Sequence, residues 1–281
     1  MQGKVRQLGI EIGMLPVGQK NCITDVEGVQ VGHVTLDEPL DQNGAYACTG
    51  VTAILPHGGN VFQEKVTAAS YVLNGFGKTT GLVQVNELGV LESPIMLTNT
   101  FGVPAVTQGT LSYMLDRNED IGLTTGTINL VVGCLVLSNF GQGGEFLAKH
   151  YKVSTMQNQS TLSPTDGSII IVLATDAPLS SRQLTRVIKR CGIGLGRTGS
   201  HFSHGSGDIV IGFTTAYCIP HTADQLIETR IQLREDHPIM NQLFTAAAEA
   251  TEEAILNSLS QAQTTTGRNG HTVQAYSFHQ A

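Results

Sequence analysis

Between residues 168 and 216 the chain reads as strand, helix, strand, and that order restricts the fold more than any other feature. "SIIIVLAT" (168–175) and "DIVIGFTTA" (208–216) are apolar β-type runs. Between them Leu184, Val187, Ile188 and Cys191 recur at helical spacing, with Ser180 or Ser181 placed to cap the N-terminus of a helix over 181–191. A strand–helix–strand crossover carries the starts of two parallel strands to the same edge of one sheet. Ser168 and Asp208 then open neighbouring strands. Ser206, two residues before Asp208, faces the same side in extended backbone. Two hydroxyls and a carboxylate meet at one edge, beside Gly205 and Gly207, whose bare backbone lets a substrate come close. Ordinary Ser and Asp turn caps at strand starts would leave the same pattern.

The rest of the chain surrounds this unit with elements of both kinds. Residues 23–35 alternate as a strand after a turn at 25–28, and 49–56 form a second strand closed by Pro56. Glycine-rich loops at 56–60 and 73–81 flank the short run 69–74. A buried strand is predicted over 93–100, a helix from Pro104 through Met114, and another buried strand over 128–137. Residues 138–167 are polar, with only a helical turn near 146–150, and a loop of that length in a compact domain usually has a function of its own. Glycines make 192–207 a loose connection, the Ala-rich run 237–263 reads as an amphipathic helix, and Asn269-Gly270 forms a turn before an edge strand. With no repeat and no linker, residues 1–281 read as a single α/β domain.

Composition narrows the function. A net charge of −7 and the lack of a basic stripe argue against a nucleic-acid partner. Charged residues make up 14% of the chain, below the usual ~25%, as expected if oligomerisation covers part of the surface. The five cysteines show no CxxC spacing, so neither a disulfide scaffold nor a zinc ribbon is expected, and a reducing compartment fits. No apolar signal core precedes Glu11, and the apolar runs 130–137 and 169–174 fall short of the ~20 residues of a membrane helix. The expectation is a cytoplasmic protein without membrane partners. His201 and His204 read as solvent-facing loop residues, so neither a metal nor a cofactor is expected. Gly194–Gly199 match GxGxxG, but the predicted helix comes before them and the strand after, the reverse of a dinucleotide site. There is no GxSxG elbow.

The approach to Ser168 supplies the chemistry. In Asp166-Gly167-Ser168 the serine hydroxyl can attack the Gly167 carbonyl to form an ester, whose hydrolysis leaves Ser168 as a new N-terminus. Glycine is the residue best suited to a strained bond there. The freed α-amine, with a reference pKa of about 7.7–8.0, can take the proton of its own hydroxyl near neutral pH, so no histidine is required.

"GLGRTGSHFSHGSGDIVIGFTTA" (194–216) resembles the hallmark segment of the DmpA/BapA family of self-processing aminopeptidases. Further stretches agree in order: "ITDVEGVQVGHVT" (23–35), "GVTAILPHG" (50–58), "LNGFGKTTGL" (73–82), "LTNT" (97–100), "DGSIIIVLATDAPL" (166–179) and "GRNG" (267–270). The resemblance implies a four-layer α-β-β-α sandwich cleaved into 1–167 and 168–281, and an oligomer, commonly a tetramer, of cleaved α/β protomers. It implies Ser168 as nucleophile, Ser206 and Asp208 as partners that orient and tune its α-amine, and a small peptide, amide or ester as substrate. The chain is short for the family. Where relatives carry an oxyanion-hole asparagine it has Cys134, Leu135 and Val136, so Asn99 or Asn139 are the candidate substitutes. Two rival readings accompany this one. The ornithine acetyltransferases share a related fold but typically use Thr at the position of Ser168, and a catalytically silent binding protein could keep the same fold.

Overall fold

The computed structural model describes residues 3–42, 44–122, 131–134, 146–151, 153–155, 167–276 and 278–280. Two sheets face each other. In the first, β1 (Gln30–Pro39) and β2 (Tyr46–Leu55) form an antiparallel pair with Gln30 opposite Leu55. In the second, β3 (Glu64–Gly75) is central. The chain then crosses back to the first sheet as β4 (Thr79–Thr80), turns through α1 (Leu82–Leu88), and returns to the second as β5 (Val90–Leu91). β6 (Ile95–Thr98) joins the first sheet, α2 (Val103–Leu115) follows, and β7 (Val131–Cys134) lies parallel to β6. β8 (Val153–Thr155) lies apart from both sheets. The strand predicted over 128–137 is thus seen at its centre, and its remaining residues lie outside the described ones.

β9 (Ile169–Thr175), α3 (Ser181–Ile188), α4 (Cys191–Arg197) and β10 (Gly207–Pro220) complete the predicted crossover, with β9 and β10 parallel. Ser180 is the N-cap of α3. Its hydroxyl accepts from the Gln183 N–H at 3.2 Å, and the Gln183 side-chain oxygen accepts from the Ser180 N–H at 3.0 Å, a reciprocal capping box. α5 (Ile239–Gln261) is the Ala-rich helix. The tail forms a small hairpin, β11 (Thr265–Thr266) with β12 (Thr272–Val273), and β13 (Phe278–Gln280) pairs with β8. The first sheet runs in the order β1-β2-β6-β7-β4 and the second β5-β3-β10-β9.

The layers follow from alternation along β10. Ile209, Ile211 and Phe213 turn towards the first sheet and pack with Val66, Ala68, Ile54, Ile95 and Leu97. Val210 faces the other way, against Leu184, Val187, Ile188, Met240 and Ala247 of α3 and α5. On the far side α2 covers β6 and β7. The result is the four-layer α-β-β-α sandwich.

Two stretches differ from expectation. The run 69–74 belongs to the 12-residue strand β3, which is buried almost continuously from Lys65 to Ser70. Covered on both faces, it has no need of polar alternation, so the pattern that marks a half-exposed strand is missing. The loose connection over 192–207 begins with a helix, α4, and Gly194 explains it. A Cβ there would stand 2.3 Å from the Ala248 carbonyl oxygen and 2.9 Å from the Glu252 nitrogen, so the missing side chain lets α4 press against α5. Gly194→Ala is therefore expected to destabilise the fold by about 1–3 kcal/mol, because backbone atoms must move. A urea-unfolding midpoint equal to that of the wild type would contradict this.

Candidate active site

The crossover gives the site its shape. In the β9–β10 ladder Ile169 stands opposite Asp208, which places Ser168 beside the segment 206–208. The Ser168 hydroxyl oxygen accepts a hydrogen bond from the Gly207 N–H at 3.0 Å. The Ser206 hydroxyl donates to Asp208 Oδ1 at 2.6 Å. Gly167 is buried and Ser168 half-buried, while Ser206 and Asp208 are 3% and 1% exposed. Thus Ser168, Ser206 and Asp208, chosen from sequence, come together at one edge of the second sheet.

Asp208 sets the electrostatics. Its Oδ2 is buried and, among the described residues, has no hydrogen-bond partner. Burial pushes its carboxyl above the usual range, while the Ser206 hydroxyl and the backbone at Ile169 partly counter that. A half-satisfied buried carboxylate is costly and demands a cationic or donor partner.

The surrounding backbone holds the site tightly. Asn74, whose register places it opposite Asp208, donates through Nδ2 to the Ser203 carbonyl at 2.7 Å. The Phe76 N–H donates to the Ser206 carbonyl at 3.4 Å. A Cβ on Gly207 would lie 2.4 Å from the Gly77 nitrogen, so only glycine fits beneath the β3–β4 turn. The Gly207 N–H, which donates to Ser168, was not legible as such, because a backbone amide carries no side-chain signal.

The other candidates are distributed as follows. Gly205 is buried in the turn before Ser206. Asn99 follows β6, and the three residues 76–78 link the end of β3 to β4, which enters the first sheet opposite Gly133 and so level with Leu97. Asn99 therefore stands at the same edge of the sandwich as Ser168. Its Oδ1 accepts from the Gly102 N–H at 2.9 Å, and its Nδ2 donates to the Thr49 hydroxyl. Asn139 lies outside the described residues, as does the approach over 156–166. His201 and His204 are exposed. The GxGxxG match falls within and just after α4, with no strand leading into it.

A hydroxyl at the start of β9, the edge strand of the second sheet, with a buried carboxylate on the neighbouring β10, is the arrangement of a serine hydrolase of the N-terminal-nucleophile class. Solved structures agree. The L-aminopeptidase/D-Ala-esterase/amidase of Ochrobactrum anthropi, described as a prototype of the serine aminopeptidases and a variant of the Ntn hydrolase fold, superposes with a TM-score of 0.82 at 26% identity, covering 97% of this chain and 95% of that one. A protein of Pyrococcus horikoshii OT3 gives 0.81 at 37% identity, covering 97% and 96%.

The family model for peptidase family S58 matches residues 21–133 and 127–273, and the chain belongs to that family. The β-peptidyl aminopeptidase BapA of Sphingosinicella microcystinivorans is 32% identical over 355 aligned positions, with 96% of this chain and 89% of BapA covered. Because that alignment is longer than the 281 residues here, gaps open in this chain, as its shortness for the family implies. The protein is a hydrolase, an aminopeptidase of the serine type acting on peptides and amides. Among the described residues no helix is long and apolar enough to cross a membrane.

Proposed function

We propose that the chain cuts its own Gly167–Ser168 bond and then uses Ser168 to release N-terminal residues from small peptides, amides or esters. The observation that carries this is the Ile169–Asp208 register, with the Ser168 oxygen held by the Gly207 N–H and Ser206 bonded to Asp208. In the first reaction Ser168 Oγ attacks the Gly167 carbonyl carbon. The C–N bond breaks, the nitrogen takes up a proton, and the acyl group rests on Oγ as an ester. Water hydrolyses the ester, giving a Gly167 carboxylate and restoring the hydroxyl.

In turnover the α-amine takes the hydroxyl proton as Oγ attacks the substrate carbonyl and returns it to the leaving amine. Water then frees the acyl group. Ser206 and Asp208 hold and tune the amine. Asn99, Asn139, Gly205 and Gly207 are the proposed donors and contacts for the substrate carbonyl. The relatives' names include β-peptidyl aminopeptidase and β-aminopeptidase as well as L-aminopeptidase and D-Ala-esterase/amidase, so both α- and β-aminoacyl groups are substrates to test.

The mature form is read as a cytoplasmic oligomer, a tetramer of protomers each made of 1–167 and 168–281. The exposed apolar side chains Val34, Leu36 and Leu40 on and after edge strand β1, with Leu226, Ile227 and Ile231, support assembly. Mass spectrometry of the purified protein is expected to show two chains that meet at 167/168, the second beginning with Ser168. A 29.9 kDa chain that stays intact through long incubation would overturn the processing step.

A further inference from the structure

At the other end of β10, ten residues beyond Asp208, Cys218 stands near two side chains far from it in sequence. His57 follows β2, and Glu64 opens β3. One ligand atom from each of the three lies within 4.8 Å of the others. The geometry points to a transition-metal site of His57, Glu64 and Cys218, suited to Zn2+ and remote from the nucleophile.

The donor set selects the metal. An imidazole, a carboxylate and a thiolate together suit Zn2+, whereas Mg2+ and Ca2+ favour oxygen alone. The tautomer of His57 is already set. Its Nε2 lies 2.7 Å from the Glu64 carbonyl oxygen, which can only accept, so Nε2 carries the proton and the lone pair is on Nδ1. Metal-bound histidines are characteristically oriented by such a bond from the second ring nitrogen. The Gly59 N–H now rests on Nδ1 at 3.1 Å, a contact that the ion displaces.

Space is available as well. A Cβ on Gly59 would stand 2.6 Å from Glu64 Oε2 and 3.2 Å from His57 Nδ1, so a glycine keeps open the gap between two of the ligands. Zn–ligand bonds of about 2.0–2.3 Å place tetrahedral ligand atoms roughly 3.3–3.8 Å apart, and small rotations of the exposed Glu64 and Cys218 side chains close the difference. Water takes the fourth position. Lys65 does not neutralise Glu64, because its ammonium pairs with Glu92 at 3.2 Å and donates to the Phe62 carbonyl at 2.6 Å. Burial and the Glu64 charge push the Cys218 thiol up, so binding releases a proton and weakens as pH falls. The ion would tie the loop after β2, in the first sheet, to β3 and β10 of the second.

The test uses the full chain, stripped with a chelator and titrated with Co2+ as an optical probe and Zn2+ as competitor. The wild type is expected to bind one equivalent, with a thiolate-to-cobalt absorption band, to gain thermal stability with Zn2+, and to have Cys218 shielded from alkylation. Cys218→Ser and His57→Gln lose the band and weaken Zn2+ binding by ~100-fold or more, since even second-shell losses reach that range. Their metal-free thermal midpoints, matched to that of the stripped wild type, show that the fold is intact. Should either variant fail to fold, the alkylation of Cys218 in the wild type decides alone. Absence of the band at saturating Co2+, unchanged affinity in both variants, or equal alkylation with and without Zn2+ overturns the site.

Discussion

Ser168→Ala is expected to remain one chain of 29.9 kDa and to hydrolyse aminoacyl amides at background, a loss of roughly 10⁴–10⁶-fold in kcat. Both effects have one cause. The hydroxyl that would attack the Gly167 carbonyl is the hydroxyl that would attack the substrate, and without the first event the α-amine never exists. The fold itself should tolerate the change. Among the described residues Ser168 Oγ accepts one bond, from the Gly207 N–H, and a single neutral hydrogen bond contributes about 0.5–1.5 kcal/mol. A midpoint close to that of the wild type would separate lost chemistry from lost structure. Ser168→Thr keeps a hydroxyl at the same place and should still process, though more slowly, because the added methyl enters a half-buried position. Hydrolysis by Ser168→Ala within tenfold of the wild type would remove Ser168 from the mechanism.

The legible part of this site was its topology. A strand–helix–strand crossover leaves little choice about where two parallel strands begin, so Ser168, Ser206 and Asp208 could be gathered from sequence, and the Ile169–Asp208 register is that rule made visible. A cap at Ser180 or Ser181 was legible because capping is local, and the bond from the Gln183 N–H, three residues on, selects Ser180. What sequence concealed depended on contacts across the fold. α4 is helical because Gly194 meets α5 more than 50 residues later, and local propensity reads the same glycines as a loop. β3 hid because both of its faces are covered. Asn99 sits before Thr100-Phe101-Gly102 as an N-cap, but its bond to Thr49 on a neighbouring strand has no local trace. His57, Glu64 and Cys218 have no motif spacing at all, since β2, β3 and β10 alone bring them together.

Asp208→Asn is expected to slow processing and to lower kcat/KM by about 10²–10⁴-fold, the usual range for loss of acid–base assistance. The buried Oδ2 faces no partner among the described residues, one position in the ladder from the nitrogen that the proposed cleavage would turn into an amine. In the precursor that nitrogen is an amide and leaves the carboxylate uncompensated. Burial accordingly raises the Asp208 carboxyl above 3.8. An acid whose folded pKa exceeds its unfolded value binds more protons when folded. Precursor stability should therefore fall as pH rises from about 4 through the raised value. Ser168→Ala traps the precursor, and its thermal midpoint should show that decline, whereas Ser168→Ala combined with Asp208→Asn should not. The proposed cleavage would reverse the sign of the interaction. An ammonium beside Asp208 pulls the carboxyl down, and the carboxylate raises the amine above its reference value of about 7.7–8.0. The acidic limb of kcat/KM in the processed enzyme should report that amine and move to lower pH in any Asp208→Asn protein that still matures. Unchanged maturation together with an unmoved limb would leave Asp208 a buried carboxylate without a catalytic role.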